Sequence, residues 1–179
     1  MEDQFEEKLV RARALLGDAE ADQGLWEANE ALNQALRIRL DHAGAWMLKS
    51  QTLSALEDDP SALAAAEMAV RLAPQRADSH FVRATVLMDL ACYDEALAAL
   101  ILADSLANEG DPLIEDIYYE RGHLLEMLER SDEAVTLFEE GLERFPSSSL
   151  LRSGLEPLRR SRLRHRLQVI DGGLILSKP

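Results

Sequence analysis

The sequence predicts an all-α fold, a file of helical hairpins leaning on one another, and three observations predict it. First, residue types recur at a fixed distance. Trp46, Ser50, Leu53, Ala62, Ala66 and Ala69 return 34 residues on as His80, Ala84, Leu87, Ala96, Leu100 and Ala103. Such a period means one helical hairpin used repeatedly, because a lone hairpin cannot bury its own apolar face. Second, apolar positions fall at i, i+4 and i+7, as in Ala28, Leu32 and Ala35, which is one stripe of a helix. Third, the chain is rich in Ala, Leu, Glu and Arg, and its 9 Gly and 6 Pro sit mostly between apolar runs.

Taken in order, residues 1–8 read as an acidic lead-in. The first unit covers 9–42. Its second half is a clear helix, while Gly17, Asp18, Glu20 and Asp22 interrupt its first half and predict a helix that frays or starts late. The second unit covers 43–76. Asp58-Asp59-Pro60-Ser61 is its turn, with Pro60 starting a helix behind an Asp cap, and Pro74 ends that helix. The third unit covers 77–110, with its turn at 91–96. The fourth, 115–148, follows after 38 residues because Glu109-Gly110-Asp111-Pro112 lengthens the connection. It carries Tyr118, Gly122, Leu125, Ala134, Phe138, Gly141 and Pro146. Ser147-Ser148-Ser149 then caps a basic helix over 149–167. Leu151, Leu155 and Leu158 form its inner face, and Gly154 and Pro157 predict a kink or late start. Residues 168–179 read as a tail.

The residue types have a packing reason. Small side chains let the two helices of a hairpin approach: Ser50, Ala84 and Gly122 on the first helices, Ala28, Ala62, Ala96 and Ala134 on the second. Large ones fill between them: Leu53, Leu87 and Leu125 against Leu32, Leu100 and Phe138.

This pattern resembles the tetratricopeptide repeat family over about residues 9–148. The first unit departs most, with Ala12 where an aromatic is usual and Leu16 where a small residue is usual. The resemblance implies a right-handed superhelical stack closed by the C-terminal helix. It also implies a concave groove lined by the first helices. The groove positions are Met47, Leu48, Gln51 and Ser54, then Phe81, Val82, Thr85 and Met88, then Tyr119, His123 and Glu126. A solvated helix face is mostly charged. This stripe is apolar in its middle and ringed by Asp78, Asp116, Glu120 and Glu126. It reads either as a seat for a basic or amphipathic helix or peptide, or as packing between neighbouring units. One subclass of the family clamps acidic chaperone tails with basic and amide side chains. The matching positions here hold Arg13, Gly17, Leu48, Asp78 and Val82, which do not suit an acidic ligand.

Net charge is −14 and unevenly spread. Residues 1–149 hold 12 Lys and Arg against 31 Asp and Glu, and residues 150–179 hold 7 against 2. An acidic body repels nucleic acid and anionic lipid. The run Arg159-Arg160-Ser161-Arg162-Leu163-Arg164-His165-Arg166 reads three ways: a solvated outer face, a partner for acidic residues of this or a second copy, or a nucleic-acid or lipid contact. No aromatic interleaves it to stack bases.

Chemistry is thinly represented. His42, His80, His123 and His165 have no metal-ligand spacing, and His80 falls in a core slot. His123 with Glu120 and Glu126 is the nearest approach to an acid–base or metal site. Cys92 is the only cysteine and lies in a turn without a basic neighbour. The sequence therefore predicts a non-enzymatic adaptor without metal or cofactor. A small acidic chaperone for a secreted or aggregation-prone client is the second reading, and nucleic-acid contact through the arginine helix the third. A homodimer through the C-terminal segment also stands open. The acidic start is unlike a signal peptide, and the longest apolar run, 97–103, is too short to span a bilayer, so a cytoplasmic protein is expected.

Overall fold

A computed structural model describes residues 2–17 and 22–171, with side chains over 2–17 and 23–164. Every element among the described residues is an α-helix: α1 (Glu2–Gly17), α2 (Asp22–Ile38), α3 (Ala43–Ala55), α4 (Asp59–Leu72), α5 (Ala77–Asp89), α6 (Tyr93–Leu106), α7 (Leu113–Met127), α8 (Ser131–Arg144) and α9 (Ser149–Asp171). They fall into two units, Met1–Asp111 with α1–α6 and Pro112–Pro179 with α7–α9.

In the first unit α1 pairs with α2, α3 with α4 and α5 with α6, and each hairpin packs on the next through α2 against α3 and α4 against α5. The small residues meet as the spacing predicts. Ser50, Ala62, Ala84 and Ala96 are all fully buried. Ser50 does more than leave room: its hydroxyl donates to the Ala62 carbonyl at 2.9 Å, so the polar atom is satisfied inside the hairpin.

The hairpin turns repeat in detail. Glu57, Ala91 and Glu129 stand at equivalent places and all adopt left-handed backbone, with φ of 59°, 56° and 59°. The amide that follows each donates back across the helix end: Asp58 to Leu53, Cys92 to Leu87, and Arg130 to Leu125, at 2.8–2.9 Å. This closure satisfies the last carbonyls of the first helix and reverses the chain in few residues. Beyond the turn, Asp58 caps α4 by accepting from the Ser61 amide.

Two features at the N-terminus differ from the expectation. The acidic stretch is not a lead-in, because α1 begins at Glu2. Nor does α1 start late: it runs unbroken from Glu2 to Gly17. Phe5, Leu9 and Ala12 form its buried stripe, and Phe5, with Phe138, is among the largest fully buried side chains described. The Phe5 ring lies 4.9 Å from the His42 ring and 5.1 Å from the Arg39 guanidinium, which also pairs with Glu2 at 2.6 Å.

His42 caps α3: its Nδ1 accepts from the Ala45 amide at 3.0 Å. Only the neutral ring can do so. Burial pushes the imidazole below its ordinary range; Arg39 adds to this, Glu6 opposes it and Arg13 adds slightly. A base with a lowered folded pKa gives stability that is fully present above its ordinary value of about 6.5 and lost as pH falls through the lowered one. The protection of amides at the start of α3, measured against the exchange rate of an unfolded chain at the same pH, is therefore expected to fall as the solution is acidified from neutral pH. A His42→Asn chain, which keeps a capping acceptor without a titrating ring, is expected to lose that dependence.

In the second unit α7 and α8 form a hairpin and α9 packs on both. Phe138 fills its centre, fully buried. A Cβ on Gly122 would come within 2.4 Å of the Phe138 ring, and one on Gly154 within 2.5 Å, so both glycines are required by ring volume. The exchange is visible along the repeats: Ala66 goes with Ser50, Leu100 with Ala84, and Phe138 with Gly122. Ser148 caps α9, accepting from the Leu151 amide at 3.0 Å. The helix continues through Pro157 to Asp171 without a late start, past its predicted end at residue 167. The remainder of the predicted tail, 172–179, lies outside the described residues.

Candidate functional site

The first helices of the hairpins present the predicted groove residues, and burial divides them. On α3, Met47 is buried, Leu48 is half-buried and Gln51 is exposed. On α5, Val82 is buried, while Phe81, Thr85 and Met88 are half-buried. Met47 and Val82 pack together with Ala66 and Ala69, and the Ser79 hydroxyl lies 3.6 Å from the Met47 sulfur. These two residues belong to the core between α3, α4 and α5. The sequence could not separate them from the stripe, because a contact between hairpins and a groove floor have the same helical spacing.

Leu48, Gln51, Phe81, Thr85 and Met88 keep accessible surface within the first unit. The Thr85 hydroxyl donates to the Val82 carbonyl at 2.9 Å. Leu48 leans on the α1–α2 core, and beside it Lys49 turns toward α2. The Lys49 ammonium donates to the Asn33 side chain at 2.6 Å and sits 5.4 Å over the Trp46 ring, and burial lowers its pKa. At the far end Ser54 donates to Asp89 at 2.7 Å, tying α3 to α5 beside the accessible apolar residues. Asp78, half-buried at the start of α5, pairs with Arg76.

In the second unit Tyr119 is half-buried and His123 exposed one turn later. Their rings stack with centroids 6.5 Å apart, and His123 lies 3.9 Å from Glu126. Burial, with Glu115 beside it, raises the pKa of the Asp116 carboxyl. His80 is buried, and its Nε2–H donates to the Pro74 carbonyl at 2.8 Å, a structural bond that ties α5 to the preceding turn. Among the described residues no three His, Cys, Asp or Glu are placed to hold a metal ion, and no helix is long and apolar enough to cross a membrane.

The arginine run resolves in part. Arg159 pairs with Glu139 and Arg162 with Asp132, both on α8 at 2.7 Å, and Arg160 pairs with Glu156 within α9. Two of these cations thus fasten α9 to α8. Such exposed pairs each contribute little, about 0–1 kcal/mol. The side chains of His165 and Arg166 lie outside the described residues.

The geometry agrees with what the chain is similar to. Residues 115–148 match the family model of the tetratricopeptide repeat. No curated protein matches the chain in sequence. Solved structures match it in fold. The pilF protein of Pseudomonas aeruginosa superposes with a TM-score of 0.77 at 16% identity, over 90% of this chain and 72% of that one. A MamA protein gives 0.70 at 13% identity over 100% of both chains. A thermophilic tetratricopeptide repeat protein of Thermus thermophilus gives 0.66 at 22% identity, over 82% of this chain and 85% of that one. Folds of this kind serve generally as non-enzymatic scaffolds for protein–protein interaction. One repeat, residues 115–148, thus matches the tetratricopeptide repeat model, and the described helices share the fold of these structural neighbours.

Proposed function

We propose that the chain is a non-enzymatic adaptor whose first helices bind a basic or amphipathic protein segment. The observation that carries this is the division of the stripe. Met47 and Val82 are spent on the core, yet Leu48, Phe81 and Met88 remain partly open beside exposed Gln51. A helix face that needed only to pack would finish burying them, and one that needed only to meet water would be charged. The charge of the first unit, 9 Lys and Arg against 21 Asp and Glu, favours a basic flank on the partner. Gln51 offers an amide to the partner's backbone. Tyr119 and His123 offer a second, aromatic surface on α7.

A labelled amphipathic Leu/Lys peptide is the test, with a Leu/Glu peptide as control. Truncating two accessible anchors, Phe81→Ala with Met88→Ala, is expected to weaken Leu/Lys binding at least tenfold, since losing about 1.4 kcal/mol of apolar contact suffices. Unchanged affinity in a chain of unchanged helicity would remove these residues from the site. The chaperone and nucleic-acid readings have no comparable observation behind them.

A further inference from the structure

α6 turns an apolar stripe to solvent where its sister helices carry mostly polar residues. Ile101 and Leu102 are 49% and 43% exposed. At the same positions α2 carries Asn33 and Gln34, α4 carries Glu67 and Met68, and α8 carries Glu139 and Glu140. Folding of the hairpin gains little from two branched side chains left in water. Only on α6, among these second helices, are both positions apolar, and adjoining exposed apolar side chains mark a contact with something outside the fold.

The charge around the stripe narrows what that is. Asp94 and Glu95 are exposed in the first turn of α6, within a strongly acidic unit. A second α6 laid against the first would set acid against acid. A basic helix with an apolar centre fits better, and this chain carries one. Arg160, Leu163 and Arg164 stand exposed at i, i+3 and i+4 of α9, with Leu163 58% exposed, while Arg159 and Arg162 are turned to α8. We propose that the α6 stripe of one copy receives the Leu163 face of α9 from a second copy. The contact is head-to-tail, pairs leucine and isoleucine side chains at its centre and sets arginines beside the acidic first turn. It is small, so the association is weak and salt-sensitive.

Sedimentation velocity of the full chain, from micromolar to millimolar, tests it. The wild type is expected to associate with rising concentration at low salt and to return to monomer at high salt. Ile101→Lys with Leu102→Lys is expected to abolish association, and so is Leu163→Glu with Arg164→Glu, both with helicity unchanged. An equimolar mixture of the two variants retains one intact α6 and one intact α9, so it is expected to stop at a heterodimer. A wild type monomeric throughout would overturn the proposal. So would an α9 variant that still self-associates, which would indicate α6 against α6, or a mixture that stays monomeric.

Discussion

Gly122→Ala is expected to cost the second unit about 3 kcal/mol, and Gly154→Ala a similar amount. The added methyl would sit 2.4 Å or 2.5 Å from the tip of the Phe138 ring. A flexible side chain could step aside, but the tip of this fully buried ring is approached by α7 at Gly122 and by α9 at Gly154, so moving away from one brings it against the other. The cost therefore falls on helix separation, which loosens α9 from the hairpin. Both tryptophans, Trp26 and Trp46, lie in the first unit and do not report on this. Hydrogen exchange resolved by helix does, and faster exchange is expected in α7–α9 with α1–α4 unchanged. Replacing the ring as well, Gly122→Ala with Phe138→Leu, restores the combination of sizes found at Ala84 and Leu100 and is expected to recover part of the loss. Equal stability of Gly122→Ala and wild type would show that Phe138 has room to move.

Phe5→Ala is expected to cost about 3–5 kcal/mol, the usual range for deleting a buried phenyl ring. The ring anchors α1 through three separate contacts: the apolar core of the first hairpin, the His42 ring that caps α3, and the Arg39 guanidinium. Without it α1 keeps Leu9 and Ala12 as buried residues. Protease cleavage confined to α1 is the expected readout, appearing at concentrations of protease that leave the wild type intact. Resistance equal to wild type would mean that Leu9 and Ala12 suffice to dock the helix.

How far the chain could be read before its structure follows from where its regularity lies. The hairpins at 43–76, 77–110 and 115–148 were legible because packing recurs: the same small residue must face the same partner in each, so spacing alone exposes it. Even the Phe138–Gly122 exchange is visible as a change of sizes at fixed positions. The N-terminal helix was not legible. Its core residue Phe5 lies outside the 34-residue frame among the carboxylates of Glu2, Asp3, Glu6 and Glu7, and a lone aromatic in an acidic run gives no period to count. The left-handed turns were hidden because Glu57, Ala91 and Glu129 stand where glycine would have announced them.

The candidate surface was half legible. Helical spacing gathers the largely apolar stripe on α3 and α5. It could not show that Met47 and Val82 face the next hairpin while Phe81 and Met88 remain reachable, because that depends on how the hairpins lean. The exposed pair on α6 has the opposite history. It was hidden inside an apolar run, and only comparison with the matching pairs of the other second helices makes it stand out.

Backbone amide shifts of the chain, followed while the Leu/Lys peptide is added, test the proposed binding face most directly. Perturbations gathered at Leu48, Gln51, Phe81, Thr85 and Met88, and absent with the Leu/Glu peptide, are the expected result. Perturbations that spread over the acidic surface without preference, or that spare α3 and α5, would contradict it.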